Sequence, residues 1–295
     1  MSTGSARRAP APVPMTSRWS SEAARRTIAG LALLLAGLAL SGPAAAHPDL
    51  LEQIALLDRQ IAQQPGNAAL RVTRGDLHRR HGDLEAAERD FAAARRIQPD
   101  FDTLDLQQAR LLLDRGDAAG AERLLTRDLA AHPERAVAWS LRGRANIALR
   151  RPVPAAGDFE QAIQRSPAPS PALFRDQALA LAAAGPDQWP AARRALDTAL
   201  LRHPQDPALL GLASDVALAQ GQPEAARALV GRVPEALHAL PHWAARLERA
   251  QCLERGAVGT DEETARCLLA AGEALDGQIE SWVESWVAQP SLAER

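Results

Sequence analysis

The sequence predicts an all-α protein of stacked helical hairpins, and two observations carry that prediction. The first is an internal repeat, because Pro65, Pro99, Pro133 and Pro167 follow one another at intervals of 34 residues. The second is composition: 46% of the residues are hydrophobic, mainly Ala and Leu, and only 3% are aromatic. Ala and Leu are strong helix formers, and a fixed period of about 20 to 50 residues is typical of repeat architectures.

Three further columns of residues keep the same period. Two of them hold small residues, and the third holds a large apolar residue. Small residues let two helices approach closely, and a large side chain fills the space where the helices diverge. Each unit is therefore predicted to be a pair of packed helices. The columns are Gly75, Ala109 and Gly143; Ala87, Ala121 and Ala155; and Phe91, Leu125 and Phe159.

The first unit shows where its two helices begin and end. Residues 68–81 form an unbroken helix-forming stretch, and Gly82 follows at the position expected just past a helix end. Asp83 is placed to cap a second helix, which runs to about Gln98 before Pro99 stops it.

These units resemble the tetratricopeptide repeat family. The resemblance implies a right-handed α-solenoid in which the first helix of every unit lines a concave groove. Three clear units cover residues 68–169 and two degenerate units cover 170–234, so about five repeats occupy 67–234. The residues that carry the resemblance are Arg74, Gly75, the run 82–87, Phe91, Ala94 and Pro99 in the first unit, and Trp139, Gly143, Ala155, Phe159, Ala162 and Pro167 in the third.

Both ends of the repeat array are predicted to carry helical caps, which protect the apolar faces of terminal repeats. Residues 47–66 are expected to form one capping helix with its apolar residues on one face. Residues 235–295 are expected to form a C-terminal helical capping region, built on a hairpin of two helices at 243–255 and 262–288. Trp282 and Trp286, four residues apart, are expected to cover the end of the stack.

Residues 1–46 are predicted to be a secretory signal peptide. Arg25 and Arg26 precede an apolar run at 28–40, and Ala44 to Ala46 form a small-residue cleavage site. The run is shorter than the roughly 20 residues that a membrane-spanning helix needs. We therefore expect an exported protein that begins at His47, either periplasmic or secreted, with no membrane span after cleavage. Either Met1 or Met15 is the true start.

Charge and motifs restrict the function. The first 46 residues carry five arginines and one glutamate, so the remainder of a chain with a net charge of −2 carries about −6. An acidic chain without basic runs is a poor nucleic-acid binder. The sequence contains no His-Glu-x-x-His, Gly-x-Ser-x-Gly, Cys-x-x-Cys or Gly-rich phosphate-binding motif. We therefore predict a protein that is not an enzyme and has no cofactor.

Two groups of residues could carry chemistry but have structural interpretations. His78, His81 and Asp83 fall on the repeat's core and turn positions, so no metal site is predicted. Cys252 and Cys267 lie on opposite arms of the C-terminal hairpin. They form either a disulfide, as an exported protein permits, or two buried thiols.

The tetratricopeptide resemblance also implies which residues face the concave groove. Arg110 and Arg144, one repeat apart, are expected to form a ladder that holds carboxylates of an extended peptide, although solvated surface charge is the alternative. The predicted groove residues are Asp76, Arg79, Arg80, Arg110, Asp114, Ser140, Arg144 and Arg175, with Leu179 and Asp215 at equivalent positions in the last two units.

The resemblance implies a non-enzymatic protein–protein interaction scaffold or adaptor in the bacterial cell envelope. Two alternatives stay open. One is an assembly or maturation factor for an envelope complex. The other is an enzyme or enzyme subunit whose site lies in the C-terminal region around His238, His242, Trp282 and Trp286.

Overall fold

The computed structural model describes residues 48–256 and 261–288. The chain divides into two compact units, residues 1–51 and 52–295. Of the first unit, only the first turn of the opening helix is described, so the predicted signal peptide lies outside the described residues. The second unit contains everything that follows.

The described residues form fourteen α-helices and no strand, which confirms the all-α prediction. One 3-10 turn, Pro186–Gln188, interrupts the series. The α-helices are α1 (Pro48–Gln63), α2 (Ala68–His81), α3 (Leu84–Ile97), α4 (Leu104–Asp114), α5 (Ala118–Ala131), α6 (Ala136–Ala148), α7 (Pro152–Arg165), α8 (Pro171–Ala183), α9 (Trp189–Arg202), α10 (Pro207–Ala219), α11 (Pro223–Val230), α12 (Glu235–His238), α13 (Pro241–Gly256) and α14 (Asp261–Ala288).

Helices α2 to α11 pair consecutively into five hairpins that stack as a helical solenoid. The fourth hairpin, α8 and α9, contains the 3-10 turn in its connection, and the fifth ends in a helix α11 of only 8 residues. None of the described helices has the length and apolar character needed to cross a membrane.

Small and large residues pack inside the hairpins as their columns predict. A Cβ atom added at Gly75 would lie 2.6 Å from the Phe91 ring, and one added at Gly143 would lie 2.9 Å from the Phe159 ring. Both phenylalanines are fully buried. The glycines therefore allow the rings to pack directly against the backbone of the first helix.

The turns inside the first three hairpins share a left-handed residue. Gly82 and Gly116 adopt φ angles of 91° and 81°, and Arg150, one period later, adopts 57°. After the two glycine turns, Asp83 and Asp117 cap the next helix, accepting hydrogen bonds from the backbone N–H groups of Ala86 (2.9 Å) and Gly120 (2.8 Å). The predicted role of Asp83 as a helix cap is thus observed directly.

The last of the C-terminal helices runs back along the stack. Helix α14, which has 28 residues, contacts α13 and α10 and then continues along α8 and α6. Trp282 belongs to the same apolar cluster as Phe174 of α8 and Leu212 of α10. Trp282 therefore packs against the last two hairpins, and the side chain of Trp286 lies outside the described residues.

A disulfide joins Cys252 of α13 to Cys267 of α14, with the Cα atoms 6.0 Å apart. Near it, Leu253 and Ala271 pack with Leu218 of the fifth hairpin. The bond therefore attaches the start of α14 to the helix before it.

Replacing both cysteines by serine is expected to lower the stability of the C-terminal hairpin by about 3 kcal/mol, since the closed loop spans 15 residues. Urea denaturation of the oxidised protein and the double variant would measure the loss. A reducing agent should destabilise the wild type and leave the variant unchanged. Two free thiols in the unfolded, unreduced wild type would contradict the bond.

Candidate functional site

The first helices of the five hairpins form one face of the solenoid, which we call the inner face (α2, α4, α6, α8 and α10). Neighbouring first helices contact one another, as α2 does with α4 and α4 with α6. An ion pair links α2 to α4, because Arg79 Nη1 lies 2.8 Å from Asp114 Oδ2. The inner face is therefore continuous across the first three hairpins.

Several predicted groove residues meet on the first two hairpins. Arg79 also pairs with Asp76, at 3.0 Å, and its side chain is buried between the two carboxylates. Arg80 is exposed, and Arg110 is partly buried on α4. Ser140 is partly exposed on α6. Arg79 thus has a structural role, and the more accessible arginines at this end of the inner face are Arg80 and, in part, Arg110.

Of the two arginines in the predicted ladder, only Arg110 is accessible. Arg144 lies on α6 and is only 6% exposed, so it offers no accessible partner to Arg110. Its charge instead acts on the Asp176 carboxylate of α8. The sequence pattern could not reveal this burial, because α14, which contacts α6 and α8, lies outside the repeats.

Helix α14 contributes polar as well as apolar contacts to the inner face. Gln278 Nε2 donates a hydrogen bond to Asp215 Oδ2 of α10 at 2.5 Å. Trp282 interacts with the Asp176 carboxylate, and Leu275 and Val283 are buried in the cluster formed with α8 and α10. Part of the predicted groove is therefore covered by the protein's own helix.

Two buried carboxylates lie beneath α14, each beside more than one arginine. Asp215 accepts a hydrogen bond from Arg246 Nη2 of α13 at 2.5 Å and lies 3.5 Å from Arg249. Burial raises the pKa of Asp215, and Arg246 partly offsets the effect. Burial likewise raises the pKa of Asp176, with Arg175 and Arg144 acting in the opposite direction.

A cavity of about 760 Å³ lies between α8, α10, α13 and α14. Arg175, from the predicted set, lines it together with His242 and Trp282 from the alternative C-terminal site. His238 does not line it and instead lies within 3.1 Å of backbone carbonyl oxygens of Val230 and Val233. The cavity therefore combines a residue predicted for the groove with residues predicted for an enzyme site in the C-terminal region.

The repeats agree with a known family. Two tetratricopeptide repeat profiles match the chain, one at residues 106–171 and the other at 181–250. This chain is a tetratricopeptide repeat protein. The comparison with curated proteins gave no match.

Solved structures with the same fold include several proteins of this family. PilW, described as a widely conserved type IV pilus biogenesis factor, is 17% identical with a TM-score of 0.56, covering 81% of this chain and 100% of its own. PilF of Pseudomonas aeruginosa is 15% identical with a TM-score of 0.55 (78% and 97%). YrrB, described as a TPR protein with an unusual peptide-binding site, is 14% identical with a TM-score of 0.54 (66% and 97%).

Outside the tetratricopeptide units, sequence reasoning missed Arg246 and Gln278, and it assigned no role to Asp176. Arg246 and Gln278 both contact Asp215, and Asp176 pairs with Arg175, so all three belong to the covered part of the inner face. Arg246 and Gln278 belong to non-repeating helices, so no periodic column marks them. Within the described residues, no group of three His, Cys, Asp or Glu side chains is placed to hold a metal ion.

Proposed function

We propose that this tetratricopeptide repeat protein is a non-enzymatic interaction scaffold, exported to the cell envelope, that holds an acidic segment of a partner protein on the inner face of its first two hairpins. The main support is that helix α14 covers one part of the inner face and leaves the other part uncovered by it. Helix α14 packs on α6, α8 and α10, whereas α2 and α4 lie ahead of the region that it contacts.

The charges on α2 and α4 support an acidic partner. Arg79 is buried between Asp76 and Asp114. Arg80 is exposed, and Arg110, which also contacts Gln107, is partly exposed. A guanidinium group can hold a carboxylate through two parallel hydrogen bonds. A continuous helical face also offers a preformed surface, so binding includes little cost for ordering the receptor. The peptide-binding site described for YrrB is in keeping with this role.

The groups beneath α14 favour binding over catalysis. Arginine stays protonated throughout the neutral range, so Arg175 and Arg246 do not exchange protons with a substrate. A general acid or base needs a pKa near the working pH. Among the described residues that line the cavity, His242 is the single side chain of a type that commonly acts as a general acid or base.

The test is a capture experiment with charge-reversed variants. The double variant Arg80→Glu/Arg110→Glu is expected to lose a partner that the wild type retains from an envelope extract, by about tenfold or more, since charged hydrogen bonds are reversed into repulsion. The matched control is Arg89→Glu/Arg96→Glu, which reverses two exposed charges on α3, outside the inner face.

The control should retain the partner, and the captured protein should then bind the purified wild type with a salt-dependent affinity. Equal capture by both variants would place the contact elsewhere and refute the proposed surface. Loss in both variants would show a general charge effect and refute it as well.

A further inference from the structure

The cavity beneath α14 has walls from four helices and a mixed chemical character. Apolar side chains form much of it, including Leu179, Leu212, Trp243 and Trp282. Its volume, about 760 Å³, lies within the range of about 300 to 1,000 Å³ typical of small-molecule sites. Such sites combine apolar walls with a few polar groups that orient the ligand.

The polar groups of the cavity are mainly cationic. Arg175 and Arg246 line it, and no carboxylate is among its described lining residues. Arg246 is 6% exposed and stacks over the Trp243 ring, with Cζ 4.9 Å from the ring centroid.

Each arginine of the lining is held by a buried carboxylate. Arg246 donates a hydrogen bond to Asp215, and Arg175 donates one to Asp176. The side chain of Arg175 is still 35% exposed. A carboxylate in the cavity would lie beside both guanidinium groups and would add a charge-assisted hydrogen bond to the more exposed one.

We infer that this cavity is a binding site for an amphipathic carboxylate, whose negative group contacts Arg175 and Arg246 and whose apolar part packs against Trp243 and Trp282. This site is distinct from the surface on α2 and α4, so the inference does not depend on the proposed function. Helix α14, held to α13 by the disulfide, forms one wall of the site.

Two glycines of α14 provide a matched pair of variants. A Cβ atom added at Gly277 or at Gly272 meets no other atom within 4 Å, so both positions accept a side chain. Gly277 lines the cavity, whereas Gly272 is not among its lining residues. Since leucine has a higher helix propensity than glycine, neither substitution is expected to destabilise α14.

The experiment is a calorimetric titration of the full protein with octanoate, using octanamide as the neutral analogue and octylamine as the cationic one. Octanoate is expected to bind at least about tenfold more tightly than either analogue, because charged hydrogen bonds are worth that factor or more. Gly277→Leu should weaken octanoate binding by about tenfold or more by filling the cavity, while Gly272→Leu should change it by less than about twofold. Arg175→Gln should weaken octanoate but not octanamide.

The same chemistry occurs at the C-terminus of a peptide that ends in leucine, so a hexapeptide with a free or amidated C-terminus separates the two sources. Tighter binding of the free-acid peptide than of octanoate would identify a polypeptide end as the ligand. Equal binding of octanoate and octanamide would overturn the inference. So would octanoate binding that Gly277→Leu leaves intact, or the absence of octanoate binding to the wild type.

Discussion

Replacing Arg246 by methionine is expected to lower the free energy of unfolding at neutral pH by about 3 kcal/mol or more, because one charge of a buried pair loses its main partner. Asp215 is 1% exposed, and its shortest contact to a cation is the 2.5 Å hydrogen bond from Arg246. Arg249, at 3.5 Å, and Gln278 remain, which keeps the loss near the lower end of the usual range. Urea denaturation measures the loss.

The deficit should depend on pH. Burial raises the pKa of Asp215, so the folded state holds a proton more readily than the unfolded state, and stability falls as pH rises from the unfolded pKa towards the folded one. Without Arg246 the folded pKa rises further. The difference between variant and wild type should therefore be largest near pH 7 and should shrink towards about pH 4.

A second substitution provides the control. Adding Asp215→Asn to the Arg246→Met variant removes the unpaired negative charge and should recover much of the lost stability at neutral pH. If the single variant shows the same deficit at both pH values, its defect comes from lost packing against Trp243 and not from the buried carboxylate.

Phe159→Ala is expected to destabilise the protein by about 3–5 kcal/mol. The ring is fully buried and packs against the backbone at Gly143, so its removal leaves a cavity between α6 and α7 that rigid helices cannot close. Thermal or urea denaturation followed by circular dichroism measures the change.

Val153 offers a control on the same helix. Its side chain is 64% exposed, and Val153→Ala should change stability by less than about 0.5 kcal/mol. A loss for Phe159→Ala no larger than that of the control would mean that the column of large residues does not hold the hairpin together.

The repeat region could be predicted in detail because its information is local and periodic. The positions of Gly75 and Phe91 recur as Gly143 and Phe159, and the structure packs both pairs in the same way. The same period also relates two ion pairs that the sequence analysis did not identify. Arg74 forms two hydrogen bonds to Asp90, and Arg142, two periods later, pairs with Asp158.

The part of the site under α14 could not be predicted in this way. Gln278 reaches Asp215 across 63 residues of chain, and nothing in the repeat pattern specifies where a non-repeating helix will lie. The pattern placed Arg144 and Asp215 correctly on first helices. It could not distinguish residues on an accessible face from residues covered by another helix.

Helix α14 also restricts how many hairpins the array can contain. In a solenoid whose units contact only their neighbours, a unit can be inserted or lost without affecting distant ones. Here one helix of 28 residues, about 42 Å long, contacts first helices of three successive hairpins. An extra unit between α6 and α10 would separate Gln278 from Asp215 or Trp282 from Asp176. The number of hairpins is therefore fixed in the C-terminal half of the array, and variation in length is compatible with the fold only ahead of α6.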